Sequence, residues 1–225
     1  NLRPKKKEGF LKVISIFSFT GIALGVAILI IVMSVMNGFQ TDLTNKILGL
    51  NPHIVIQSNE KKIEKSYKIK LQNKYKDFLF SESFKGEGVI FSNNKVKGIL
   101  VKGLREENII NLFQKNILIN NELKFFSQGS VLIGSELSFN LNIVTGDKIN
   151  IMSSAFVSTP IGDVPKEETF KVAGIFNSGF YEFDQNLIFI NLEDSLSIFD
   201  KDEKDINLEI HIKEPLKADF FKEEI

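Results

Sequence analysis

No ionisable side chain falls between Lys12 and Asp42, which leaves 29 uncharged residues, from Val13 to Thr41. At 1.5 Å per residue a helix over that run would be about 43 Å long, against about 30 Å for the hydrocarbon core of a bilayer. A chain of 225 residues has no globular interior of that length, which argues against a buried core helix. A cleavable signal peptide has an apolar region of about 7–15 residues and a small-residue cleavage site. This run is far longer, and SVMNGFQTDL holds no A-x-A pattern. A permanent transmembrane helix over 13–39 is the expectation.

Arg3, Lys5, Lys6, Lys7 and Lys12 precede the run against the single Glu8, while Asp42 is the first charge beyond it. The positive-inside rule then puts segment 1–12 in the cytosol and the bulk of the chain outside. The formal net charge of zero is thus a segregation: 23 basic and 27 acidic residues remain for the rest, no footprint for nucleic acid. The absence of cysteine removes disulfides, thiol chemistry and cysteine metal sites from consideration. About 170 residues suffice for one or two cores held by packing alone. The chain starts at Asn1 and ends at Ile225 inside an apparent helix, so it reads as part of a longer protein.

Phe39, Leu43, Ile47 and Leu50 continue the helical stripe past the membrane, with Asp42, Thr44, Asn45 and Lys46 on the other faces. This predicts a stalk over 40–52, ended by Gly49 and the Asn51-Pro52 pair. Strands are expected at 53–57, 88–92, 96–104, 130–134, 147–153, 169–176, 186–192 and 206–212, from β-branched runs bounded by Gly, Asn and Asp. Short helices are expected within 60–76, at 106–115, at 192–199 and from Pro215 onward. In INLEIHI, Ile206, Leu208, Ile210 and Ile212 share one face and Asn207, Glu209 and His211 the other. The fold class is α+β without alternating βαβ units: one transmembrane helix with its stalk, then an outside domain in two parts. A membrane-proximal part would be built from 53–109 and 205–225, with 110–204 inserted as a β-rich distal part.

Chemistry is scarce. His53 and His211 stand isolated on strands and read as structural or solvent-facing. GSVLIGSE (129–136) has the glycine spacing of a phosphate loop, but Ser135-Glu136 replaces its Lys-Ser/Thr, leaving a strand that ends in a turn. TGDK (145–148) is a turn, and Glu167-Glu168 are solvated charges in a polar loop. The expectation is a non-catalytic chain with no metal and no cofactor.

Three stretches are more specific than composition: GIALGVAILIIVMSVMNGFQTDLTNKILGLNPHI (21–54), SVLIGSELSFNLNIVTGDKINIMS (130–153) and STPIGDVPKEETFKVAGIFNSGFYEFDQNLIFINLEDSLSIF (158–199). Together they resemble the LolC/LolE membrane subunits of the lipoprotein-releasing ABC transporter, in the same broad class as the MacB exporters. VMNGF and GFYEFD carry most of the likeness, which is weakest between Ile56 and Val89. The resemblance implies a four-helix permease of the bacterial inner membrane, three of whose helices lie outside this chain. It also implies a MacB-like porter domain carrying an inserted subdomain, and a separate cytosolic ABC ATPase. The implied partners are a second permease copy or paralogue, triacylated lipoproteins, membrane lipid and a soluble LolA-like periplasmic chaperone.

A surface that holds acyl chains must be apolar, since each buried CH₂ is worth about 0.8 kcal/mol. Val32, Val35, Met36, Phe39 and Leu43 meet that need at the outer leaflet and stalk, with Met36 an adaptable side chain. Packing against the other helices would use the same residues. Gly21 and Gly25 form G-x-x-x-G, which lets two membrane helices approach closely. In the loop 158–168, the T-P-x-G-x-x-P spacing of Thr159, Pro160, Ile161, Gly162, Asp163, Val164 and Pro165 matches the chaperone-capturing hook of LolC-type subunits, which LolE-type subunits lack. An ordinary exposed hairpin connection has the same composition. GFYEFD is closer to single-permease versions of the system, which act as homodimers. Phe180, Tyr181 and Phe183 are expected in core packing. The alternatives left open are a MacB-like exporter, an FtsX-like regulator that transmits ATPase motion, and a single-span membrane-anchored binding module.

Overall fold

The structure, a computed structural model, describes residues 5–57, 62–92, 95–109, 118–119, 126–160, 162–212 and 214–224. It divides into two compact units, Asn1–Asn45 and Lys46–Ile225.

Between Pro4 and Pro52 the chain has no proline, and one helix, α1 (Lys5–Leu50), runs almost that whole distance. From Gly9 to Asp42 none of it is buried within the molecule. Phe17 and Phe19 are each 75% exposed. The two threonines of this stretch satisfy their hydroxyls internally, Thr20 on the Ile16 carbonyl at 2.8 Å and Thr41 on the Asn37 carbonyl at 2.9 Å. An apolar cylinder whose threonine hydroxyls close on its own carbonyls suits a hydrocarbon environment.

The second unit is built on one sheet. Its strands are β1 (Ile54–Ile56), β2 (Leu79–Ser92), β3 (Lys95–Leu104), β4 (Leu118–Ile119), β5 (Ser130–Gly134), β6 (Lys148–Thr159), β7 (Gly162–Asn177), β8 (Leu187–Asn191) and β9 (Asn207–His211). They run in the order β1-β9-β2-β3-β8-β5-β7-β4, with β6 pairing β2 and β7. The long β2 pairs with β3 along one side; along the other it pairs with β9 through 79–83 and with β6 through 88–91. Sequence patterning starts this strand at Gly88, whereas the structure starts it nine residues earlier. Ser81 and Ser83 are buried there beside Glu82 and Lys85, so no apolar alternation marks the strand.

One sheet face carries Ile90, Ile99, Val101, Val131, Ile133, Ile151, Ile188 and Ile190, roofed by α3 (Ser135–Leu141) and α5 (Leu192–Ile198). Each such side chain contributes about 1.5–3 kcal/mol by burial. The turn expected after Gly134 is therefore the helix α3, which buries Leu137 and Leu141 and ends on Asn142 in a left-handed conformation. On the opposite face Leu104, Ile109, Phe126, Leu132, Phe176 and Phe189 form a second cluster. A third joins Ile54, Ile210 and Ile212 to Phe78, Phe80, Ala218 and Phe221, and so unites both ends of the unit. Helices α2 (Lys65–Lys74) and α6 (Ala218–Glu224), the latter preceded by the 3₁₀ turn Pro215–Lys217, agree with the expected positions. The expected helix 106–115 falls largely outside the described residues, which show helix at 106–109.

Candidate functional site

On α1, Val32, Val35, Met36 and Phe39 follow i, i+3, i+4, i+7 spacing and therefore share one face. They are 56%, 67%, 59% and 59% exposed. Leu43 continues the stripe within the helix, and its side chain lies outside the described residues. A Cβ added at Gly21 or Gly25 would meet nothing within 4 Å, so that strip of backbone is open to a neighbour.

The segment 158–168 is not the loop expected from its prolines but the end of a hairpin. The ladder of β6 and β7 continues through Phe156↔Pro165, Val157↔Val164, Ser158↔Asp163 and Thr159↔Gly162. Only Pro160 and Ile161 lie between the strands, and Ile161 falls outside the described residues. Gly162 has φ +121°, a conformation open to glycine and strained for other residues, which is why the turn needs it. Ser158 donates to the Asp163 carboxylate at 2.7 Å and Thr159 to the Gly162 carbonyl at 2.6 Å. Pro165 is tolerated opposite Phe156 because no other strand among the described residues pairs with the outer edges of the ribbon. A register irregularity between Met152 and Phe156 marks where the ribbon leaves the body. Its base is tethered to the end of α5: Lys166 donates to the Ser197 carbonyl at 2.6 Å, and the Ser197 hydroxyl to Glu168 at 3.2 Å. Glu168, expected as a solvated charge in a polar loop, thus lies in a strand and accepts from Ser197. Beyond the tether Phe156, Val157 and Val164 stand 63%, 44% and 40% exposed. A two-stranded ribbon that buries neither apolar face gains little from its own body.

The polar side of β9 departs from the simple alternation. Glu209 is 1% exposed, between Val55 of β1 and Ser81 of β2. Its Oε1 lies 3.1 Å from Lys85 Nζ and its Oε2 2.8 Å from Lys102 Nζ, as ion-pair contacts off the angles of directed hydrogen bonds. Lys85 and Lys102 are direct cross-strand partners, so the buried carboxylate is what separates two like charges. Burial drives the Glu209 carboxyl up, but Lys102 and Lys85 more than reverse it and hold it below the ordinary carboxylate range.

The two histidines, expected to be isolated, meet at the end of this row, with ring centroids 5.7 Å apart in an edge-to-face contact. Burial, then the Lys102 charge, lower His211 to about 4. Burial also lowers His53 against its bond with the Leu48 carbonyl. Neither the lysine–glutamate cluster nor the histidine pair was recognised in sequence, where the one available signal is a carboxylate enclosed by the apolar INLEIHI run.

GFYEFD has a structural role as well. Asp184, 3% exposed in α4 (Tyr181–Asn186), accepts from the Ser178 amide at 2.9 Å and its hydroxyl at 2.7 Å. Gly134 lies so close that an added Cβ would sit 2.1 Å from the Asp184 carbonyl oxygen. Phe183 packs on the second cluster and against Phe180, whereas Tyr181, expected in the core, is 54% exposed.

The model of the MacB-like periplasmic core domain matches residues 15–224. The lipoprotein-releasing system transmembrane protein LolC of Neisseria meningitidis serogroup B is 27% identical over 231 residues, covering 96% of this chain and 54% of that protein. LolE of Haemophilus influenzae is 29% identical over 168 residues, covering 68% of this chain and 38% of its own length. The chain thus spans about half or less of these relatives. Among solved structures, the extracellular domain of the ABC-type transporter YknZ from Gram-positive bacteria aligns with a TM-score of 0.46 at 9% identity, over 74% of this chain and 85% of that one.

Proposed function

The chain belongs to the MacB-like periplasmic core domain family, its curated relatives support a LolC/LolE-family permease, and on that premise we propose that it works in lipoprotein release. In this reading it is a non-catalytic subunit of a bacterial inner-membrane ABC transporter, paired with a second permease copy or paralogue and driven by a separate cytosolic ATPase. Its N-terminus lies in the cytosol, α1 crosses the membrane over 13–39, and residues from about 40 onward, beginning with the stalk, are periplasmic. The cluster that unites Ile54 with Ile210 and Phe221 suits a membrane-proximal part made from both ends, 53–109 and 205–225, with 110–204 as the distal part.

Triacylated lipoproteins leave the outer leaflet along the apolar stripe of Val32, Val35, Met36, Phe39 and Leu43. Acyl chains there exchange one apolar surface for another, so displacement by a moving helix costs little. Gly21 and Gly25 serve helix packing within the permease. The released lipoprotein passes to a soluble LolA-like chaperone held by the ribbon from Thr159 to Pro165.

The observation that carries this reading is the ribbon itself. It is anchored only at its base by the Lys166 and Glu168 contacts among the described residues, and it presents Phe156, Val157 and Val164 to solvent. Two prolines and an internally bonded turn reduce the entropy lost on docking. The test is transfer of lipoprotein from reconstituted membranes to chaperone by Val157→Asp/Val164→Asp. Transfer should fall at least about tenfold, the equivalent of 1.4 kcal/mol of docking energy, with ATP hydrolysis retained. Undiminished transfer would remove the ribbon from the pathway.

A further inference from the structure

Among the described residues, one side chain uses both of its polar atoms to join the last turn of α1 to the sheet. His53 Nδ1 accepts the Ile212 amide at 2.8 Å, and its Nε2 lies 3.1 Å from the Leu48 carbonyl oxygen. Because Nδ1 is the acceptor, the neutral ring carries its proton on Nε2 and donates it to Leu48. The Leu48 carbonyl is one of the last four of the helix, which have no partner within it. The His53 main chain is committed as well, its amide donating to the Ile210 carbonyl at 3.0 Å. The residue therefore holds β9 at Ile210, and the chain just beyond it at Ile212, while it holds the end of α1.

β9 is a well-placed receiver. It lies between β1 and β2, and its Glu209 is locked to Lys102 of β3 at 2.8 Å in the buried interior. A shift imposed on β9 cannot relax locally without separating that ion pair, so it passes to β2 and β3.

We propose that His53 is a coupling residue, whose imidazole passes displacement of the α1 end to β9 and through it into the sheet. The proposal rests on the ATP-driven transport reading. It goes beyond that reading by naming the atoms through which helix motion enters the periplasmic domain. A residue that merely capped the helix would stabilise α1 and leave the response of β9 to nucleotide unchanged.

The test is amide hydrogen exchange on the full-length protein assembled with its ATPase in nanodiscs, with and without ATP. In the wild type, ATP should change exchange at Leu208 and Ile210 by about fivefold or more. His53→Ala should bring that change below about twofold while ATP hydrolysis continues and exchange at the core residues Ile188 and Ile190 is unaltered. His53→Asn keeps an acceptor for Ile212 and removes only the Leu48 contact. It should show the same loss, and it decides the matter if His53→Ala does not fold. A full ATP response in either folded variant overturns the proposal, as does a wild-type β9 that ignores ATP. Lipoprotein release measured on the wild-type sample separates the two ideas. Release with an unresponsive β9 removes the coupling and keeps the transport reading. No release with active ATPase removes the transport reading, while the variants still decide the coupling.

Discussion

Glu209→Gln isolates the buried charge cluster in one step. The glutamine keeps the shape of the side chain but leaves Lys102, 3% exposed, without its counter-ion and facing Lys85 across the strand pair. Removing one partner of a buried ion pair costs about 3–5 kcal/mol, because the remaining charge is neither solvated nor neutralised. In a domain of this size each kcal/mol lowers Tm by about 2–4 °C, so a fall of about 10 °C is expected. Lys85→Met should cost only about 1 kcal/mol or less, since the Lys85 side chain is 48% exposed and its contact is screened by solvent. Lys102→Met/Glu209→Leu removes both deeply buried charges and should return to within about 1 kcal/mol of the wild type. Urea denaturation of the solubilised protein, followed by circular dichroism with m-values compared, measures all three. Refutation would be Glu209→Gln within about 1 kcal/mol of wild type, or a double variant as unstable as the single one.

Protonation of His211 should make stability depend on pH over a defined window. Its folded value is about 4 against an ordinary 6.5, so below pH 6.5 the unfolded chain takes up a proton that the folded one refuses. The contribution is complete above pH 6.5 and is lost progressively between 6.5 and about 4, amounting to about 3 kcal/mol. Thermal melts from pH 8 to 4.5 should show that decline, and His211→Gln should flatten it. Gly134→Ala forces a methyl group against the Asp184 main chain, which cannot swing away as a side chain would. A loss of about 2–3 kcal/mol in urea unfolding is expected. Asp184→Ala leaves the Ser178 amide without its acceptor and its hydroxyl with the longer 3.3 Å contact to the Phe180 carbonyl, and should cost about 1–3 kcal/mol by the same measurement.

Much of the scaffold was legible because its elements depend on local pattern. The uncharged run from Val13 to Thr41 and the strands 130–134, 186–192 and 206–212 carry their burial in their own spacing. The first half of β2 was not legible. Its buried positions are Ser81, Ser83 and Phe84, whose surroundings are set by β9, β3 and Phe199 far along the chain. Glu209 failed for a related reason: alternation shows that it faces away from Ile210, but not that Lys102 awaits it there. The same distance in sequence hid the pairing of His53 with His211. The prolines and glycine of the ribbon read as a loop, because those residues mark turns in most contexts. Here cross-strand pairs such as Val157 and Val164 extend the ladder almost to the tip.

The most direct measurement is site-specific photocrosslinking in the full-length protein in its membrane, with the probe in place of Val164 on the ribbon. An adduct with a soluble periplasmic chaperone that carries lipoproteins is the predicted result. Absence of that adduct, in a complex that hydrolyses ATP and releases lipoprotein, would contradict the account.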